Sequence, residues 1–169
     1  QHVAIVNCLY SSQVERNPVF QAGTSGVIVN NIIANPGERA IHAHAANEDK
    51  NPAFPNARIA VVGNVVLFGQ HTKKAAGVFE GVADGWFKDN EGYNWEGAPI
   101  PELRAPLPTL PKAPVWPEGL EATSTTAALW HVARFTGARP AQRDPIDQRI
   151  VNAALTGTAR IIDSQDEVG

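Results

Sequence analysis

The sequence predicts an all-β fold, a parallel β-helix whose coils are followed by a proline-rich strap and two C-terminal α-helices. Three observations lead there: short apolar runs that each meet an asparagine, a stretch crowded with proline, and two helical patterns with strong end signals. The same observations divide a single domain into coils over 1–97, a strap over 98–123, and helices with a tail over 124–169.

The runs HVAIVNCLY (2–10), GVIVNNIIA (26–34) and RIAVVGNVVLF (58–68) are rich in Val and Ile and too short for helices, so they read as strands. GVFEGVADGWFKDNEGY (77–93) is a degenerate fourth copy. Aligning Asn7, Asn31, Asn64 and Asn90 gives intervals of 24, 33 and 26 residues, within the range of repeat architectures. Asn at a bend tolerates left-handed backbone and can bond the next coil's Asn, so a stacked ladder is expected. The plain alternative is unrelated asparagines at turns.

Between the second and third runs, 35–57 is irregular apart from RAIHAH, a short strand. His42 and His44 are two apart and share a face of that strand, with His71 the next histidine along. A metal site is conceivable, but no third ligand has a recognisable spacing, and hydrogen-bonded surface histidines are commoner. From Ala98 to Pro117 there are seven prolines, which exclude helix and central strand and favour an extended path. Leu103, Leu107, Leu110, Val115 and Trp116 suit a strap laid along the coils; a disordered linker or a ligand for a proline-recognition domain is the alternative.

Ser124 or Thr125 can cap a first helix with Leu129, Val132, Ala133 and Phe135 on its apolar side and Gly137 as its stop. Asp144 caps a second, with Pro145 at its first position, an apolar stripe of Ile146, Ile150, Val151, Ala154 and Leu155, and Gly157 after it. The acidic tail beyond reads as a solvated end.

With 43% hydrophobic and 18% charged residues in 169, the chain has the balance of one globular domain rather than a disordered segment. A net charge of −3 and scattered basic residues argue against nucleic acid and anionic lipid as partners. Cys8 is the only cysteine, so neither an internal disulfide nor a thiolate zinc cluster is available. No apolar run reaches the length of a membrane span.

RNPVFQAGTSGVIVNNIIANPG near the start, together with GARPAQRDPIDQRIVNAALTGTARIIDSQDEVG at the end, resembles the bacterial pectate-lyase-like polysaccharide lyases of the right-handed parallel β-helix class. The resemblance implies secretion or a periplasmic location, and a reaction that eliminates a 4-linked sugar from a uronate polymer such as polygalacturonate. Elimination removes a proton beside a carboxylate and needs cations to spread the resulting charge. By the match to the Arg-x-Pro motif, Arg16 is the catalytic candidate. A free guanidinium holds its proton to a pH above about 12, so a base role calls for a local cationic field; otherwise Arg16 binds and polarises. The alternative for Arg16 is a loop salt bridge with Glu15, Glu38 or another acid.

Gln21 stands where many relatives carry a second basic residue. With Arg39, His42, His44, Tyr93 and Trp95, it completes the candidate substrate-binding set. The resemblance also implies Ca2+, with its acidic ligands in coils before the Arg-x-Pro motif. Only fifteen residues precede Arg16, so those ligands are expected outside this chain. The chain is accordingly expected to be the C-terminal portion of a longer β-helix, completed by its own N-terminal portion or by a second chain, with an acidic polysaccharide as ligand. A non-catalytic polysaccharide-binding module is the alternative, with Trp86, Trp95 and Tyr93 as stacking platforms; a core role for the tryptophans would give the same signal.

Overall fold

The computed structural model describes residues 2–45 and 54–167. Among the described residues eleven strands alternate among three sheets. β1 (His2–Val6), β4 (Ser25–Val29), β7 (Ala57–Val62) and β10 (Ala83–Lys88) form the first sheet. β2 (Leu9–Ser11), β5 (Ile32–Ala34), β8 (Val65–Leu67) and β11 (Glu91–Tyr93) form the second, and β3 (Val19–Phe20), β6 (Ile41–Ala43) and β9 (Phe79–Gly81) the third. Every pairing between these strands is parallel.

Because register is kept from strand to strand, like residues stack. Ile5, Ile28, Val61 and Phe87 align across the first sheet, and Tyr10, Ile33 and Val66 across the second. These rows meet Phe20, Ile41, Ala43 and Phe79 of the third sheet in one core enclosed by all three. The opposite faces differ. Val27, Val29, Ala60 and Val62 of the first sheet are covered by strap residues Ala113, Val115, Trp116 and Leu120. Ile32 and Val65 of the second are covered by Leu129 and Val132 of α1 (Thr125–Phe135). In the third sheet the residues alternating with the core row are Val19, His42 and Glu80.

The all-β, right-handed parallel β-helix class expected from sequence is corrected by this arrangement. The structure has three sheets of parallel strands and two α-helices, α1 and α2 (Pro145–Thr156), which is mixed α/β content rather than an all-β coil. The physical reason is that parallel strands carry apolar residues on both faces and need cover on each. Here α1 supplies that cover for the second sheet, so helix and sheet share a hydrophobic cluster.

The asparagine ladder is present, displaced by one residue at its first rung. Asn31 Nδ2 donates to Asn64 Oδ1, and Asn64 Nδ2 to Asn90 Oδ1, each at 2.9 Å. The rung before Asn31 is Cys8, whose N–H donates to Asn31 Oδ1 at 2.9 Å. Asn7 instead aligns with Asn30, Gly63 and Asp89, and all four have left-handed backbone, with φ of 55, 55, 64 and 55°. Two adjacent residues thus divide the work, one turning the chain and the next bonding along the stack.

Both helices start as expected, with Ser124 Oγ and Asp144 Oδ1 accepting capping bonds. α2 ends at Gly157 in left-handed conformation, whereas α1 ends at Thr136, one residue before Gly137. Their apolar stripes are only partly buried: Val132, Val151 and Ala154 are inside, while Phe135, Ile146, Ile150 and Leu155 are exposed. The strap meets the last strands through parallel bridges from Leu103 to Phe79 and from Thr109 to Gly85.

Candidate functional site

Arg16 lies in the loop that carries the chain from the second sheet to the third, just before β3. It is exposed and left-handed, with φ 63°, a conformation that disfavours a side chain larger than glycine's hydrogen. Its neighbour Asn17 is buried and fixes the loop: Asn17 Nδ2 donates to the Arg39 carbonyl at 2.8 Å and the Gln13 carbonyl at 3.3 Å. Gly37 and Glu38 amides add bonds to the Gln13 and Val14 carbonyls at 3.0 and 2.7 Å. The loops bearing Arg16 and Arg39 are therefore sewn together mainly by backbone and amide bonds, with a half-exposed Glu15–Arg39 ion pair at 4.0 Å beside them.

The acids that offered Arg16 a plain salt bridge are engaged elsewhere. Glu38 accepts from Lys74 Nζ at 2.8 Å, which also holds its carboxyl below the usual range. Glu15 lies 4.0 Å from Arg39 Nε. Among the described residues Arg16 has no carboxylate partner.

His42 occupies the outer row of β6 between Val19 and Glu80, with its ring buried. Burial pulls its pKa below the ordinary 6.5, a bond to the Ala40 carbonyl at 3.3 Å working in the opposite sense. His44 is half-buried, its ring centroid 5.4 Å from that of His42, which puts the two on one side as their spacing predicts. Gln21 follows β3 directly and is exposed. The third sheet and its entry loops therefore carry Arg16, Gln21, Arg39, His42 and His44 together. Glu80 joins their row: it is buried and accepts from Arg104 Nη1 at 2.5 Å. Sequence reasoning missed it, because only the register with His42 reveals it.

Tyr93 and Trp95 are placed elsewhere. β11 is the far edge of the second sheet from β2, and Tyr93 Oη donates to Glu91 Oε2 at 2.7 Å. Trp95 is 51% exposed, its ring close to Gly157 beyond α2. Trp86, the other proposed platform, packs edge-to-face with Trp116 of the strap at 6.0 Å.

Among the described residues no group of three or more His, Cys, Asp or Glu could hold a metal ion. Likewise, among those residues no helix is long and apolar enough to cross a membrane. The chain matches no known family model, no curated protein and no solved structure.

Proposed function

We propose that this chain is part of a polysaccharide lyase acting on a uronate-containing polymer such as polygalacturonate, with Arg16 meeting the uronate carboxylate. The observation that supports the reading best is Arg16 itself: a cation kept exposed on a fixed loop, in a disfavoured conformation, with both neighbouring acids occupied. Disfavoured backbone that the surroundings enforce is found preferentially at functional sites.

In the reaction the proton beside the carboxylate passes to hydroxide from solvent, the bond from the ring to the 4-linked oxygen breaks, and a double bond forms in the uronide. The departing oxygen takes a proton from water. Arg16 stabilises the carbanion-like state by pairing its guanidinium with the carboxylate. To receive the proton as well, it would have to be neutral, which calls for further cations around it. Arg39, whose carbonyl is bonded by Asn17 next to Arg16, is one such cation but is shared with Glu15. Among the described residues β1, β2 and β3 are edge strands of their sheets, each paired on one side. Further parallel strands there, from an N-terminal portion of the same protein or from a second chain, are the place from which added cations and calcium ligands would come.

The test is turnover of polygalacturonate with calcium by the chain together with the N-terminal portion or second chain that completes it, followed by ultraviolet absorbance of the unsaturated uronide. Product formation that Arg16→Ala lowers by about a hundredfold or more supports the reading, as expected for removing a transition-state charge contact. Equal turnover in parent and variant overturns it. The second reading is a non-catalytic polysaccharide-binding module, favoured by the exposed ring of Trp95. It predicts retention on immobilised polygalacturonate with no absorbing product.

A further inference from the structure

Away from Arg16, at the corner where the chain passes from the first sheet to the second, lies a hollow of about 520 Å3. Trp86 of β10, Trp116 of the strap, the Lys88–Asp89 turn and Ser124–Thr125 at the start of α1 line it. Its size falls within the range typical of small-ligand sites, roughly 300–1,000 Å3.

The walls are fixed. Thr123 N–H donates to Asn30 Oδ1 at 2.8 Å and Asn30 Nδ2 donates back to the Thr123 carbonyl at 2.9 Å. Thr125 Oγ1 donates to Glu91 Oε1 at 2.6 Å. Trp116 Nε1–H is bonded to the Leu120 carbonyl at 2.8 Å, so its indole contributes apolar ring surface rather than a donor. Both indoles are half-buried, with part of each still accessible.

The rim is polar and loosely committed. Lys88 Nζ and Asp89 Oδ2 are 3.7 Å apart and 57% and 67% exposed, a pair that contributes little in water and that a ligand can replace. One side of the hollow thus offers aromatic surface, and the other an ammonium donor and a carboxylate acceptor. A pyranose ring has that same division, with C–H groups on one face and hydroxyls that both donate and accept around its edge. An aliphatic chain would leave both charges unused.

We propose that this hollow binds one pyranose unit of a polysaccharide, as a holding site separate from the Arg16 face. The class of polymer rests on the function proposed above; the site itself does not depend on elimination chemistry. The probes are trigalacturonate, which is acidic, and cellotriose, which is neutral, each titrated into the full chain while the indole N–H signals of its four tryptophans are followed by NMR. The expected result is that at least one probe shifts Trp86 and Trp116 but not Trp130. The double variant Lys88→Gln, Asp89→Asn, both at exposed positions, is expected to weaken that probe about tenfold, as for losing a hydrogen bond to a charged group. Arg16→Ala is expected to leave these shifts unchanged. The proposal is overturned if neither trisaccharide moves the two indoles, if the double variant binds as tightly as the parent, or if Arg16→Ala removes the shifts. Indole shifts with no turnover once the chain is completed by the strands that extend β1, β2 and β3 overturn the lyase reading alone.

Discussion

Asn64 is the residue on which the ladder turns. Its side-chain oxygen accepts from both the N–H and the Nδ2 of Asn31, and its own Nδ2 faces Ile28, Val62 and Asn90 acceptors, all in a fully buried position. Asn64→Ala would leave several of these groups unpaired at about 1–3 kcal/mol each, so a loss of about 3 kcal/mol or more is expected in urea unfolding. His42 makes a different prediction. Unfolded, its imidazole takes a proton near pH 6.5; folded, burial delays that uptake to lower pH. The unfolded state binds more protons in between, so the stability tied to neutral His42 is whole above about pH 6.5 and declines as pH falls below it. Urea midpoints at pH 7.5 and 5.5 check this: the difference should shrink in His42→Gln, and an unchanged difference would place the pH dependence elsewhere.

At the scale of elements, the helix ends separate two kinds of residue choice. Asp144 Oδ1 accepts the Asp147 amide at 2.8 Å, and Asp144→Ala is expected to lose about 1 kcal/mol. Gly157→Ala is expected to lose a similar amount, about 1 kcal/mol, through its φ of 73°, with the nearest foreign atom, of Trp95, still at ordinary contact. Gly63 combines both demands: it turns at φ 64°, and an added Cβ would strike Asn30 Nδ2, which donates to the Gly63 carbonyl at 3.0 Å. These end signals are legible in sequence because each acts within a few residues. The burial of the helix stripes was not, because which side of α2 faces the sheets depends on contacts far along the chain.

Across the whole molecule, the strand stack has unlike ends. At one, β9 and β10 are bridged by strap residues and Arg104 reaches back to Glu80. At the other, β1, β2 and β3 have one neighbour each. Hydrogen exchange should therefore be slowest for the central strands β4, β5, β7 and β8, and at least about a hundredfold faster for β1 and β2. Equal protection in β1 and β7 would contradict that order. Arg104→Ala should lower stability by about 1–3 kcal/mol, the range for uncovering a buried carboxylate whose partner is half in water, with Glu80→Gln,Arg104→Ala recovering part of the loss in a double-mutant cycle.

By itself the sequence determined the strands, the proline strap, the asparagine ladder and the helix caps, since each depends on local backbone preference or on spacing along a few residues. Arg16 came forward through its Arg-x-Pro motif. Only the tertiary structure decided that Cys8 rather than Asn7 holds the first rung, and that Trp86 packs against the strap. It alone placed Glu80 beside His42 while setting Tyr93 and Trp95 on another side. Parallel pairing joins residues 23 to 38 apart in sequence, and a shift of one position in that register reverses which face a side chain takes.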